Sequence, residues 1–466
     1  MAKHVEPLDV WLYDKRLARL TQPHPARIHY RLDFTEEALD TYGEGRRILS
    51  LAFPVSRHPV LDAPGGRLPV TNFIDGLLPE GSLRQQLATV QRVAATDLMA
   101  LLQAVGADCA GAVQFLRPGA SRPAPHVRPL TREEVVRIVE DLPTYSLPGG
   151  VTPQASLAGV QDKVLLTDLG GGRWGLPENG AASTHIIKPE SLRGTIPHLI
   201  DTENWSLHAA AAAGLPAATS RIETFGARAA IVLDRYDRTD TGVRIHQEDF
   251  CQALGLAPQS KYETLREAQS WGSRLSRVIA VAAGQAAADP TELRTALLRA
   301  VTYNIISGNG DAHSKNYSLL IGQRGEVSLA PLYDTAPIMF IAEQFGGTGH
   351  VINDKTRIAH VDTDDLVAEA RTWGLPARLA ARTVEDTIDA TRTALENTPA
   401  PAALAGMRSN LDAFWIRKGW AAASTGAPAP AGPAPLADHA GDKVFIRGHQ
   451  RGTRWVDGHW RDRPKR

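Results

Sequence analysis

The chain has 466 residues, 43% hydrophobic and 22% charged, with 51 Lys or Arg against 51 Asp or Glu. That length predicts roughly two to three domains of about 150 residues each, and the balanced charge gives no general argument for nucleic acid or membrane. Only two cysteines, Cys109 and Cys251, are present, which excludes a disulfide framework; with no signal-type apolar core and no apolar run of about 18 residues, a soluble cytoplasmic protein is expected.

In chain order, the first segment (8–116) opens with "LDVWLY" and "RIHYRLDF", which read as strands. It continues into "SLRQQLATVQRVAATDLMALLQAVG", apolar at helical spacing with Gly106 as a C-cap, so a small α+β domain is expected. "RPGASRPAPHVRP" (Arg117 to Pro129) is Pro-rich and reads as a linker or long loop. The second segment (130–237) alternates strands with Gly turns: "KVLLTDLGGGRWGLP", "THIIKPE" and "AAIVLDRYDR". One helix interrupts them, "DTENWSLHAAAAAGL", with Asp201 or Thr202 able to cap it. The third segment (238–421) is mostly helical, including "TELRTALLRAVTYNIISG" and "TDDLVAEARTWGL". A low-complexity Ala/Pro stretch (422–437) then leads to a basic tail (438–466).

Four stretches carry chemistry. "GNGDAHSKNYSLLIG" holds Asp311 and, five residues on, Asn316. Phosphoryl transfer asks protein groups for positioning and charge neutralisation, and an Asp-x-x-x-x-Asn loop supplies a base and a metal ligand at that spacing. Taken alone, Asn-Gly-Asp suits a solvated turn equally well. "LAPLYDTAP" puts Asp334 at the end of a short apolar strand, where a second metal carboxylate belongs; Mg²⁺ is content with few protein oxygens. "HIIKPE" projects Lys188 from a strand, able to act as a point charge on phosphates, with Glu203 of the following helix as its partner. "SLAGVQDKVLL" has a single glycine, Gly159, yet small residues there let backbone N–H groups approach phosphates. A sheet-rich lobe followed by a helix-rich lobe is the layout of a bilobal protein-kinase-like α+β fold.

In order along the chain, "SLAGVQDKVLL", "HIIKPE", "TENWSLHAAAAAGLP", "LDRYDR", "HQEDFCQALGLAPQSKYE", "NGDAHSKNYSLLI" and "APLYDTAP" resemble the HipA family of serine/threonine kinase toxins from bacterial type II toxin–antitoxin systems. The first segment is similar to that family's N-terminal domain. The resemblance implies an ATP- and Mg²⁺-dependent kinase with Asp311 as catalytic base. It implies that His313, Ser314, Lys315 and Asn316 line the nucleotide site, that Asn316 and Asp334 hold the metal beside Tyr333, and that Lys188 meets the phosphates. Ala158, Gly159, Val160, Gln161, Asp162 and Lys163 would form the phosphate loop, and Asp234, Arg235 and Tyr236 the hinge at adenine. Ser156 matches the family's autophosphorylated serine, whose modification would place about two negative charges beside that loop. The family usually has Glu at positions 162 and 234, where this chain has Asp. Implied partners are a HipB-like helix-turn-helix antitoxin, DNA mainly through it, and a protein substrate of the aminoacyl-tRNA synthetase class.

Two other readings stand beside this one: a small-molecule phosphotransferase with the same Asp–Asn logic, and a non-catalytic antitoxin- or DNA-binding module. The tail from Gly441 carries eight Lys or Arg against three Asp and repeats G-H-x-R. "KVFI" and "RWV" suggest a small hairpin there. A basic end with Trp455 and Trp460 suits nucleic acid, but a solvated basic end is the commoner outcome.

Overall fold

Leu8, Val10 and Leu12 on β1 (Leu8–Leu12), with Leu17 and Leu20 on β2 (Lys15–Thr21), are wholly buried and seed the first sheet. They are joined by β3 (Arg31–Phe34), β4 (Val60–Leu61) and β5 (Val113–Leu116) in the antiparallel order β4-β3-β2-β1-β5. Helices α1 (Glu36–Tyr42), α2 (Pro69–Gly76), α3 (Gly81–Gln91) and α4 (Leu98–Val105) fill the connections. The long apolar run expected as one helix is therefore two. Arg92 turns left-handed at φ 56°, and Asp97 accepts from the Ala100 N–H to start α4 afresh. Gly106 ends α4 without a left-handed turn; it is required by space, since a Cβ there would lie 2.9 Å from the Phe115 Cβ.

The computed structural model describes residues 6–24, 29–63, 65–119, 124–142, 161–192, 196–239, 241–285 and 289–421, plus the backbone of four short strands between 443 and 462. Ser156, Ala158, Gly159 and Val160 lie outside the described residues, as does the 422–437 stretch. The chain divides into two units, Met1–Leu411 and Asp412–Arg466. No helix among the described residues is long and apolar enough to cross a membrane.

The second sheet has six antiparallel strands: β6 (His126–Pro129), β7 (Val164–Asp168), β8 (Trp174–Glu178), β9 (His185–Pro189), β10 (Ser220–Phe225) and β11 (Arg228–Asp234), in the order β10-β11-β9-β7-β8-β6. Part of the expected Pro-rich linker is thus a strand. It takes an edge position, where a proline costs no second ladder. Helix α5 (Arg132–Glu140) is closed by a Thr131–Glu134 capping box and packs Val135, Ile138 and Val139 against Leu166, Ile187 and Val232. Helix α6 (Leu199–Ala212) covers the other face, with Ile200 and Leu207 against Ile186, Ile231 and Leu233. The two-residue period of a strand therefore sends Ile187 toward α5 and its neighbours Ile186 and Lys188 toward α6. Neither Asp201 nor Thr202 caps α6; the cap residue is His198 at φ 55°, and the Thr202 hydroxyl donates back to its carbonyl at 2.7 Å.

Beyond residue 238 lie a three-stranded sheet, β12 (His246–Asp249), β13 (Ser318–Ile321) and β14 (Val327–Leu329), and the pair β15 (Gly347–Ile352) and β16 (Lys355–Arg357). The helices are α7 (Phe250–Ala253), α8 (Leu265–Trp271), α9 (Arg274–Ala283), α10 (Pro290–Ser307), α11 (Thr363–Thr372), α12 (Ala377–Asn397) and α13 (Ala405–Lys418). In the last unit, β17 (Lys443–Ile446) pairs with β20 (His459–Asp462), and β18 (His449–Arg451) with β19 (Arg454–Val456). "KVFI" does not pair with "RWV" as expected: it pairs with β20, and "RWV" pairs with β18.

Candidate active site

The loop from Gly308 to Tyr317 joins α10 to β13, and its two glycines have different reasons. Gly308 ends α10 in the left-handed region at φ 76°. Gly310 faces the backbone carbonyl of Phe345, so closely that any Cβ would collide with it. The Asp311 carbonyl accepts from the Asn316 side-chain amide at 2.8 Å and from the His313 N–H at 2.7 Å. The Asp–Asn spacing thus closes the loop on itself. The Asp311 side chain is 36% exposed and accepts the Tyr262 hydroxyl. Burial pushes its pKa up, against the Tyr262 hydrogen bond and the Lys261 charge.

The remaining residues of the loop divide in direction. His313 is buried edge-on to the Tyr262 ring, centroids 5.0 Å apart; burial, then Lys261 and Lys315, hold it well below the usual imidazole range, hence neutral. Lys315 donates to Asp249 at 2.9 Å and lies 3.7 Å from Glu80; burial opposes its charge, but these carboxylates raise its pKa. Ser314 does not face the cavity. Its hydroxyl is buried 3.0 Å from both the Arg274 guanidinium and the His350 Nε2, because the turn at Asn316 directs it inward.

Lys188 donates to Glu203 at 2.9 Å and pairs with Asp334 as well. Burial disfavours the ammonium, yet the two carboxylates outweigh it and hold its pKa above the usual lysine value. For Asp334, burial is overcome by Lys188 and Lys163, which keep it ionised; for Glu203, burial wins and the pKa is raised. Lys163, buried close by, is pushed down to about 8 by burial and then by the Lys188 charge. Asp334 was expected at a strand end. Instead β14 stops at Leu329, Leu332 makes a lone parallel bridge to Ala217, and Asp334 itself turns left-handed at φ 49°. The positive φ is a conformation L-residues hold only when neighbours over-determine it.

At the end of β11, Asp234 receives His185 Nε2 at 2.9 Å. The Tyr236 ring stacks on Tyr333, centroids 5.5 Å apart. Arg235 reaches the cavity wall, but its guanidinium turns away, donating to Asp237 at 2.7 Å, Ser183 at 2.8 Å and the Cys109 carbonyl at 3.0 Å.

These groups surround one cavity of about 500 Å³, lined by Lys188, Glu203, Asp311, Asn316, Tyr333 and Asp334 among others. Gln161 and Lys163 reach it, whereas Asp162 between them does not. Asn316 and Asp334 present an amide and a carboxylate to it, oxygen donors suited to Mg²⁺ when phosphate oxygens and water complete the shell. Sequence reasoning missed Glu80 and Gly76 from the first segment, and Lys261 and Asp249, all of which line the wall. The last two sit in or beside the quoted "HQEDFCQALGLAPQSKYE", a usable signal; Glu80 has none, since only folding brings residue 80 to residue 315.

Residues 8–116 match the HipA N-terminal domain family and residues 155–395 the HipA-like C-terminal domain family. The Sinorhizobium fredii protein named "Putative kinase Y4mE" is 33% identical over 402 residues, spanning 84% of this chain and 91% of that protein. The Shewanella oneidensis serine/threonine-protein kinase toxin HipA is 30% identical over 339 residues, 70% of this chain and 76% of that one. Among solved structures, the S. oneidensis complex of HipA, HipB and operator DNA contains a chain matching with a TM-score of 0.71 at 26% identity, covering 88% of this chain and 96% of that chain. With both domain families matched and a relative 33% identical over 84% of the chain, the chain belongs to the HipA family.

Proposed function

We propose that this chain is an ATP- and Mg²⁺-dependent serine/threonine protein kinase of bilobal, protein-kinase-like architecture, acting as the toxin of a type II toxin–antitoxin pair. The observation that carries the reading is that Lys188, Glu203 and Asp334 meet Asp311 and Asn316 around a single cavity of nucleotide size, about 500 Å³. Bound Mg²⁺ and ATP would supply the transferable phosphoryl group and neutralise charge, with Asn316 and Asp334 holding the metal. Asp311 orients a serine or threonine hydroxyl and takes its proton, a task its raised pKa favours. Lys188 and Lys163 offset phosphate charge, and residues 234–236 offer backbone groups to adenine, with Tyr236 braced on Tyr333.

By family likeness, Ala158 to Lys163 act as the phosphate loop and Ser156 as the self-modification site that disables it. The S. oneidensis relative was crystallised with HipB and operator DNA, which supports a HipB-like antitoxin as partner here and DNA contact through it. By the same family likeness, the proposed protein substrate is of the aminoacyl-tRNA synthetase class. The test is incubation of the purified chain with γ-labelled ATP and Mg²⁺: label is expected on Ser156 and is expected to vanish in Asp311→Gln. Failure of the wild type to bind ATP, with Asp311→Gln as toxic on expression as wild type, would sink the reading.

A further inference from the structure

The Tyr262 hydroxyl donates to the carboxylate of Asp311, the position an incoming substrate hydroxyl must take on a general base. Its backbone is fixed. The buried Arg274 guanidinium binds the Lys261 carbonyl at 3.1 Å and the Tyr262 carbonyl at 3.4 Å, and the same side chain holds Ser314 of the Asp311 loop at 3.0 Å. Glu263, the next residue, accepts the Arg274 N–H at 2.7 Å and the Val351 N–H at 2.8 Å. The ring, by contrast, is 43% exposed, braced on one side by the edge-on His313. A clamped backbone carrying an exposed ring can move by side-chain rotation alone.

We propose that Tyr262 is an acceptor-side specificity residue: its phenol occupies Asp311 until a protein hydroxyl displaces it, and so keeps water from being used as the acceptor. This rests on the kinase reading above. In the reaction it suppresses, a water oxygen bonds to the γ-phosphorus of ATP and the β–γ bridging P–O bond breaks. The water proton passes to the Asp311 carboxylate, and ADP and inorganic phosphate leave.

The experiment uses the full chain with ATP and Mg²⁺ and no added acceptor, measuring release of inorganic phosphate beside ATP binding and label transferred to the chain itself. Tyr262→Phe keeps the ring on His313 and removes only the hydroxyl. It is expected to raise phosphate release on the order of ten-fold, the worth of one hydrogen bond to a charged group, with ATP affinity unchanged. The double variant Tyr262→Phe/Asp311→Asn is expected to show no gain, because the effect acts through Asp311. If the wild type binds ATP and labels itself while Tyr262→Phe releases no more phosphate, the kinase reading stands and Tyr262 is only a structural neighbour. If the wild type neither binds ATP nor transfers phosphate, the kinase reading falls and this inference with it.

Discussion

Single side chains in this protein are set by what burial does to their charge. His246 is fully buried, with Nε2 on the Leu49 carbonyl at 2.8 Å and the Ala112 N–H directed at its Nδ1 from 3.4 Å, so only the neutral ring fits. Burial pushes its pKa down to about 4, and buried His350 goes to about 3. With folded values below the usual 6.5, protonation favours the unfolded chain: the stability is present above pH 6.5 and is lost as pH falls toward 4. A shift of that size on His246 is worth about 3 kcal/mol. Buried Glu248, raised to about 8, acts in the opposite direction, so the His246 contribution is read as a difference: by urea titration His246→Gln should be weaker than wild type at pH 7, and that gap should narrow as pH falls toward 4. A different consequence attaches to Lys188. Lys188→Ala removes the cation that Glu203 and Asp334 share, and leaves two adjacent carboxylates without it. ATP affinity measured by calorimetry should drop at least about ten-fold, since a single charge-assisted bond contributes roughly 1.5–3 kcal/mol.

At the scale of elements, the Asp311 loop is held by backbone fit. Gly310 abuts the Phe345 carbonyl, which sits in the one-turn helix at Glu343–Phe345 just ahead of β15. Gly310→Ala must displace one of the two, at about 1–3 kcal/mol of stability. Because Asp311 is the next residue, a shift of about 1 Å there is enough to cost on the order of 100-fold in transfer rate. The expected result is a folded protein with a slightly lower melting temperature and strongly reduced self-labelling; unchanged labelling would show that the loop tolerates the displacement. The same reasoning explains why the α3–α4 break was hidden. Its sequence keeps helical spacing throughout, and the turn is made by Arg92, a residue with no preference for the left-handed region, under tertiary constraint.

At the scale of the first unit, the N-terminal sheet domain is tied to the rest through buried charge. Asp108, just ahead of β5, meets Arg238 at 2.9 Å, Arg244 at 2.8 Å and Arg235 at 3.6 Å, with Ser183 donating at 2.6 Å. Burial works against its ionisation, and the three guanidiniums outweigh it and keep its pKa lowered. Removing one member of such a network leaves uncompensated buried charge. Asp108→Ala is expected to lose about 3–5 kcal/mol by urea unfolding, with the difference insensitive to salt because the groups are shielded from it. A loss under about 1 kcal/mol would mean the arginines find other partners. The same docking brings Glu80 to Lys315, so the N-terminal domain forms part of the cavity wall.

The sequence by itself determined the family, through ordered blocks that survive as local patterns, and the strand direction of Lys188, because alternation along "HIIKP" is a local property. It also carried the Asp311–Asn316 spacing, which the loop closes over a few residues. What only the tertiary structure decided are relations between distant residues: Glu80 at Lys315, Tyr262 on Asp311, the inward turn of Ser314 and the engagement of the Arg235 guanidinium by Asp237. It decided too that Asp334 stands beyond β14 with a positive φ. Burial, charge pairing and close backbone approach act between segments far apart in the chain, and no local pattern encodes which partner each will meet.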